Sequence, residues 1–465
     1  METLQRTANR GSISTGYDID NSLKFEPDNT EYMRRSLGTD GNQRVFTQSM
    51  WIKRTEISYS YATPWCVGNV ALRFDSNDRL EVWCYTYDGT GAGTSRTDAY
   101  RIVTPNKFRD TSAWYHLVFA LDTTQGTESN RLKVYVNNER VYHDGSSDIY
   151  DQTITQNSYT RCNGTGNSSE NWNQIGWYYT GNYVFAGYIA EVNFVDGLQL
   201  SPTDVGEYDE DSGIWKPKQY TGAYGTNGYH LKFDDASDLG ADSSGNDNDI
   251  NSIGNITAAD QATDTPTNNF CTLNPLYAMT YPLAIREGGT KSVADGSVGQ
   301  WQSAKGSMAV NNGKWYWEYS GFSELNTFLG IQSADANGVY NTAYAWNLPL
   351  NDNSFYIVDP NSRTEGFTTT KATTDVWAIA LNMDDGEISF YRNGTQQNST
   401  VSIDGLIGNG PYVAIISQYA SATNASTNFG GYNSGKAISS AASDANGYGT
   451  FEYAPPSGYY ALCTK

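Results

Sequence analysis

Asp375-Val376-Trp377-Ala378-Ile379-Ala380-Leu381-Asn382-Met383-Asp384-Asp385-Gly386-Glu387-Ile388-Ser389-Phe390-Tyr391-Arg392-Asn393-Gly394 decides the fold class. Val376–Leu381 and Ile388–Tyr391 are runs of strand length, too short for a stable helix. Asp385-Gly386 separates them and Asn393-Gly394 follows, and both pairs suit the positive φ of tight hairpin turns. The segment therefore reads as consecutive antiparallel strands.

The same punctuation extends in both directions. Trp315–Tyr319 after Asn312-Gly313, Thr327–Ile331, Ser354–Val358 and Tyr412–Ile416 continue the series. In the first half, strands are expected at Asn21–Phe25, Phe46–Arg54, Val70–Phe74, Leu80–Tyr87 and Trp114–Leu121. Arg131–Val136 follows, reversing at Asn137-Asn138 into Val141-Tyr142-His143. Ile175-Gly176-Trp177 and Phe185–Val195 come next. Tyr229–Phe233 shares the alternation of Leu23–Phe25, and pairing of the two would close a sandwich near its ends. Ala437–Ala445, bracketed by Gly and Asn, reads as an irregular loop.

Composition agrees. The 465 residues exceed one ordinary core, so two are expected. Thirty-five tyrosines and 45 glycines suit ring-rich strands joined by glycine turns. The fold class is all-β: two antiparallel β-sandwich (jelly-roll) domains in tandem. The expected division is an N-terminal arm at 1–17, a first sandwich at 18–235, a linker at 236–280 and a second sandwich at 281–465. The linker is placed where large apolar residues thin out between Asp234 and Asp264.

Charge limits the partners. Thirty basic against 51 acidic side chains give a net charge of −21, which disfavours nucleic acid and anionic membrane surfaces. No apolar run is long enough to span a bilayer, and Met1–Arg10 lacks the apolar centre of a secretion signal, so cytoplasmic synthesis is expected. Cys66, Cys84, Cys162, Cys271 and Cys463 lack CxxC spacing and read as free thiols, Cys66 and Cys84 as buried small hydrophobes.

Phe46–Arg54, Trp114–Val118, Leu132–Asn137 and Phe185–Val192, in that order, resemble the laminin G and concanavalin A-like jelly rolls, over about half of the chain. Gly313–Tyr319, Phe328–Ile331 and Asp375–Gly394 resemble SPRY-type sandwiches. The two folds in this order, with Glu207–Pro217 between the body and last strand of the first, look like virion proteins of marine tailed bacteriophages. That resemblance implies a tail fibre, head fibre or other surface appendage made in the bacterial host cytoplasm, touching other virion proteins and working as a homotrimer. A decoration protein of purely architectural role and a polysaccharide depolymerase are its rivals.

Concanavalin A-like hydrolases place two carboxylates on one strand, and Glu207 and Asp209 have that spacing. They lie in an acidic segment without apolar alternation, and read as a solvated turn. His116, His143 and His230 each fall within an expected strand with no serine or cysteine elbow beside them. No catalytic residue is assigned, and a non-enzymatic protein is expected. Laminin G-like domains often bind one calcium ion, which makes Asp75, Asn77 and Asp78 candidate ligands, with the run Asp234, Asp235 and Asp238 behind them; each stretch also reads as a plain turn.

Sugars stack on indole and phenol rings while their hydroxyls take polar partners. Two clusters offer that mixture: Trp172, Trp177, Tyr179 and Tyr183, and Tyr340, Tyr344 and Trp346. Singly these rings also suit core packing; together they are the candidate glycan site, and a host cell-surface glycan is the partner they suggest.

Overall fold

A computed structural model describes residues 2–4, 16–68, 70–90, 94–142, 153–165, 172–178, 183–277, 279–336, 345–349, 356–358, 371–397, 401–403, 410–419 and 423–465. The expected hairpin is present: Trp377–Asn382 pairs antiparallel with Glu387–Arg392, Gly386 has φ 68°, and Asn393 and Gly394 have φ 49° and 76°. Strands dominate, and the helices among the described residues are short 3-10 turns. The protein is all-β and its sheets are mainly antiparallel.

The chain divides into Ser14–Thr267 and a second unit, Asn268–Lys465 together with Met1–Ile13. The first unit has two large sheets. An eight-stranded sheet runs Glu139–Arg140, Leu132–Val136, Trp114–Asp122, Val45–Arg54, Gly187–Asp196, Ser22–Phe25, Gln261–Ala262, with Tyr229–Leu231 also on Gly187–Asp196. A seven-stranded sheet runs Ser252–Gly254, Tyr32–Arg35, Asn173–Ile175, Ala62–Val67, Val70–Phe74, Arg79–Tyr87, Arg96–Lys107. Alternate residues of both enclose one apolar core, where Trp65 and Phe119 bring the sheets together at 5.5 Å between ring centroids. Burying such a side chain contributes roughly 1.5–3 kcal/mol.

Two expectations are corrected here. Tyr229–Leu231 does not pair with Ser22–Phe25; both lie against Gly187–Asp196, one at Val192–Phe194 and the other at Gly187–Ile189. The register of that strand shifts between Ala190 and Asn193, with Glu191 at φ 49°, a bulge that adds local twist. Nor is 236–267 a linker. Leu239 and Ile250 lie in the core, Ser252–Gly254 is an edge strand, and Gln261–Ala262 closes the other sheet. A few apolar anchors suffice because the Asp and Asn side chains satisfy local backbone: Asp242 accepts from the amides of His230, Ser244 and Asn248. The boundary falls at Thr267, well before 281.

The second unit also has two large sheets. Lys314–Ser320 and Trp377–Asn382 are central in one; Thr327–Ser333 and Tyr412–Tyr419 are central in the other. Trp315, Trp317, Tyr319 and Trp377 fill the core, and the Tyr319 hydroxyl donates to the Ile415 carbonyl of the facing sheet at 3.2 Å. The N-terminal arm expected at 1–17 contains a strand, Glu2–Leu4, parallel to Met308–Val310. Within Ala437–Ala445 the backbone is irregular apart from a bridge between Ala442 and Phe451.

Candidate functional site

In the seven-stranded sheet, Met33, Ile175, Leu72, Val82 and Ile102 point into the core, so residues one step away point outward. One cross-strand row on that outer face reads Ser252, Arg34, Gln174, Cys66, Ala71, Trp83, Arg101, each residue in register with the next. Cations and large side chains flank a floor of small ones.

Rings and guanidinium groups alternate across this face. Arg34 lies 4.1 Å from the Trp172 ring centroid and 5.4 Å from that of Tyr32. Tyr32 stacks on Trp177 at 4.5 Å. The hairpin Trp177–Tyr178 with Tyr183–Val184 lies over the small residues, the Cys66 thiol reaching the Trp177 carbonyl at 3.5 Å. Tyr183 meets Tyr61 edge-on at 4.8 Å, and Arg73 lies 4.3 Å from Tyr61 and 4.5 Å from Trp83. Arg101 lies 5.2 Å from Trp83. Cation–π contacts of this kind contribute about 0.5–1 kcal/mol each at exposed sites, and they fix ring orientation.

Glu81, fully buried in this face, accepts from both Arg73 and Arg101. Trp172, Trp177, Tyr183, Tyr32 and Tyr61 are half-buried, so each leaves part of its ring to solvent. Gln174 is fully buried, yet neither amide atom has a partner among the described residues.

The first ring cluster of the sequence thus assembles: Trp172, Trp177 and Tyr183 share one face, while Tyr179 lies outside the described residues. Tyr340 and Tyr344 also lie outside them. Trp346 occupies the strand Ala345–Pro349, its backbone in register with Ile331 and Ile357. The sequence reading missed Tyr32, Arg34, Tyr61, Arg73, Trp83 and Arg101. A parity signal existed: in Arg79–Tyr87, Leu80, Val82 and Cys84 are one face, and Glu81, Trp83 and Tyr85 the other.

No family model matches the chain, and no curated protein matches it significantly. Solved β structures do. The SPRY domain of human HERC1 matches at 15% identity and TM-score 0.28, over 33% of this chain and 96% of that domain. The TRIM65 PSpry domain matches at 12% and 0.28, over 34% and 89%. A Bacteroides ovatus protein provisionally described as carbohydrate-binding matches at 17% and 0.32, over 51% of this chain and 59% of its own.

The remaining candidates have structural partners. Asp78 is buried at φ 65° and accepts from Arg54 at 2.9 Å and from the Ser58 amide at 2.6 Å, with Arg109 at 3.3 Å. Asp75 turns instead to Arg79 and to the amide of Asn77. Carboxylates aimed at separate arginines are the reverse of a converging calcium site, and among the described residues no three His, Cys, Asp or Glu side chains form a metal-holding group. Asp235 caps its own turn through Ser237.

Glu207 and Asp209 share Lys216, at 3.7 and 3.1 Å, on a surface hairpin. Hydrogen bonds from Ser212 hold the Asp209 carboxyl well below the usual range.

His116 is fully buried, stacked on Trp51 at 4.7 Å. The Trp215 indole, which can only donate, bonds His116 Nδ1 at 3.0 Å. Nε2 must then carry the proton and donate to Ser49 Oγ at 2.8 Å, the reverse of a base activating a serine. Burial pushes the imidazole down to about 3, so it stays neutral. His230 contacts Glu191 at 2.8 Å, and His143 lies outside the described residues.

Proposed function

We propose that this protein is a non-enzymatic adhesion protein that binds a cell-surface glycan on the outer face of its seven-stranded sheet. The observation that carries the reading is the ladder of half-buried rings and guanidinium groups from Trp172 to Arg101. A pyranose stacks its C–H face on an indole, and its hydroxyls accept from guanidinium N–H groups. Strand register and cation–π contacts hold these groups before a ligand arrives, which lowers the entropy lost on binding.

The wider reading is a bacteriophage virion component, a fibre or surface appendage. It follows the order of the laminin G-like and SPRY-like sequence blocks. As a trimer it would multiply a weak sugar contact into useful avidity. Immunogold labelling of intact particles tests the location, and light scattering of the purified protein tests the oligomer; unlabelled particles or a monomeric mass would remove those parts.

The glycan reading itself is tested on a printed glycan array with wild type, Trp172→Ala and Trp177→Ala. Binding by wild type that both variants lose, with unchanged melting temperatures, is expected. Equal binding by all three places the site elsewhere.

A further inference from the structure

We infer that the glycan taken by this face is a carboxylated one, a uronate- or sialate-type sugar whose carboxylate sits on Arg34. The inference rests on the glycan-binding reading and adds a charge to it.

The chain as a whole carries −21, yet the outer face of the seven-stranded sheet carries Arg34, Arg73, Arg96 and Arg101 against one carboxylate among the described residues, Glu81. Two of the four are already used: Glu81 accepts from Arg73 and Arg101 and neutralises much of their charge. Arg34 differs. Its Nε donates to Ser252 Oγ at 2.9 Å, its Cζ lies over the rings of Trp172 and Tyr32, and no carboxylate among the described residues pairs with it.

That arrangement suits an anion receptor. A guanidinium stacked on a ring keeps its in-plane N–H groups available, and Arg presents them as a fork that matches a carboxylate. The Nε bond to Ser252 fixes the orientation of the fork. Trp172 and Tyr32 flank it, with Trp177 stacked on Tyr32, so a sugar ring on the Trp172 indole would bring its carboxylate beside Arg34. Gln174, next in register, is a fully buried amide without a partner among the described residues, a polar group left over in the interior beside the same cation. A hydrophobic anchor would need neither feature.

The net negative charge opposes this only at a distance. At physiological ionic strength, exposed charges more than roughly 8 Å apart are largely screened, whereas a contact pair at Arg34 is not. The overall charge slows encounter; the local cation sets selectivity.

The test uses the full chain against immobilised oligogalacturonate, alginate oligomers and oligosialic acid. Each is paired with its methyl-esterified form, which keeps the sugar and removes the charge, and dextran sulfate controls for charge alone. Wild type, Arg34→Gln and Arg34→Lys are compared, with thermal melting to confirm folding. The expected result is an acid-over-ester preference of roughly tenfold or more in wild type, lost in Arg34→Gln. Arg34→Lys, which keeps the charge and stem but not the fork, loses most of it too.

Equal binding of acid and ester, an acid preference surviving in Arg34→Gln, or equally tight binding of dextran sulfate would overturn the inference and leave glycan binding standing. Binding to neutral glycans alone on the array would do the same. Binding to no glycan of either charge would remove the underlying reading as well.

Discussion

The two sheets of the first unit carry similar residues on their outer faces and put them to opposite uses. The eight-stranded sheet presents Lys53, Trp51, His116 and Trp114 outward, as the seven-stranded sheet presents Arg34, Trp83 and Arg101. On the first, later chain folds over the face: Trp215 covers His116, Val205 packs on Val118 and Ala120, and Asp264 reaches both Lys53 and the Trp114 indole. On the second, the paired strands Trp177–Tyr178 and Tyr183–Val184 leave rings half-buried and the cations partly exposed. A tryptophan beside a cation is packing where chain buries it and a candidate binding surface where it stays partly exposed.

The largest effect that would sharpen this contrast is Asp264→Ala. Lys53 is fully buried and Asp264 nearly so, 2.7 Å apart, so the variant leaves an uncompensated charge. A loss of about 3–5 kcal/mol is expected by urea unfolding. Glu81→Gln on the other face should cost less, about 1–2 kcal/mol, because Arg73 and Arg101 are partly exposed and can rehydrate. Comparable losses at both positions would mean that the two faces are covered alike.

Most of the strand pattern was legible in the sequence, because hairpin chemistry is local: Asn137-Asn138 and Asn393-Gly394 reverse where expected, with positive φ at all four residues. Contacts distant in sequence were not legible. Asp264 meets Lys53 across 211 positions, and nothing in the polar run 236–267 announces that Ile250 is core or that Ser252–Gly254 is a strand. For the same reason Trp172, Trp177 and Tyr183 could be picked out by local composition, whereas Arg34 and Trp83 could not. They join the face only through sheet register.

A pH experiment probes the covered edge near Ser22–Phe25. Burial pushes Glu31 up to about 7 against the pull of Lys24, 2.9 Å away, with Asp260 raising it further. A raised carboxyl binds more protons in the folded state. This group therefore favours folding at low pH and loses that contribution as pH rises from the ordinary glutamate value, about 4.3, through about 7. The stability difference between wild type and Glu31→Gln should shift across pH 5–8, the variant lacking this part of the slope. Parallel curves would show that Glu31 does not titrate there.

His116 works in the opposite sense. Held at about 3 by burial, it favours folding above the ordinary histidine range near 6.5, and that contribution is lost as pH falls toward 3. In nitrogen-15 spectra it should remain the neutral Nε2–H tautomer at pH 6; an imidazolium signal would contradict the Trp215 hydrogen bond. The smallest effect is expected at Glu207→Gln, on the exposed hairpin with Lys216: within about 0.5 kcal/mol of wild type, with glycan binding unchanged.

The most direct test of the ring face is a binding isotherm for the tightest glycan found on the array. It compares wild type with Trp172→Ala, with Trp177→Ala, and with Trp301→Ala in the second unit, a ring in contact with Phe328 and Tyr419. Affinity should fall roughly tenfold or more for the first two, the loss of a stacked ring, and stay within twofold for the third. Undiminished affinity at Trp172→Ala and Trp177→Ala, or a loss confined to Trp301→Ala, would contradict it.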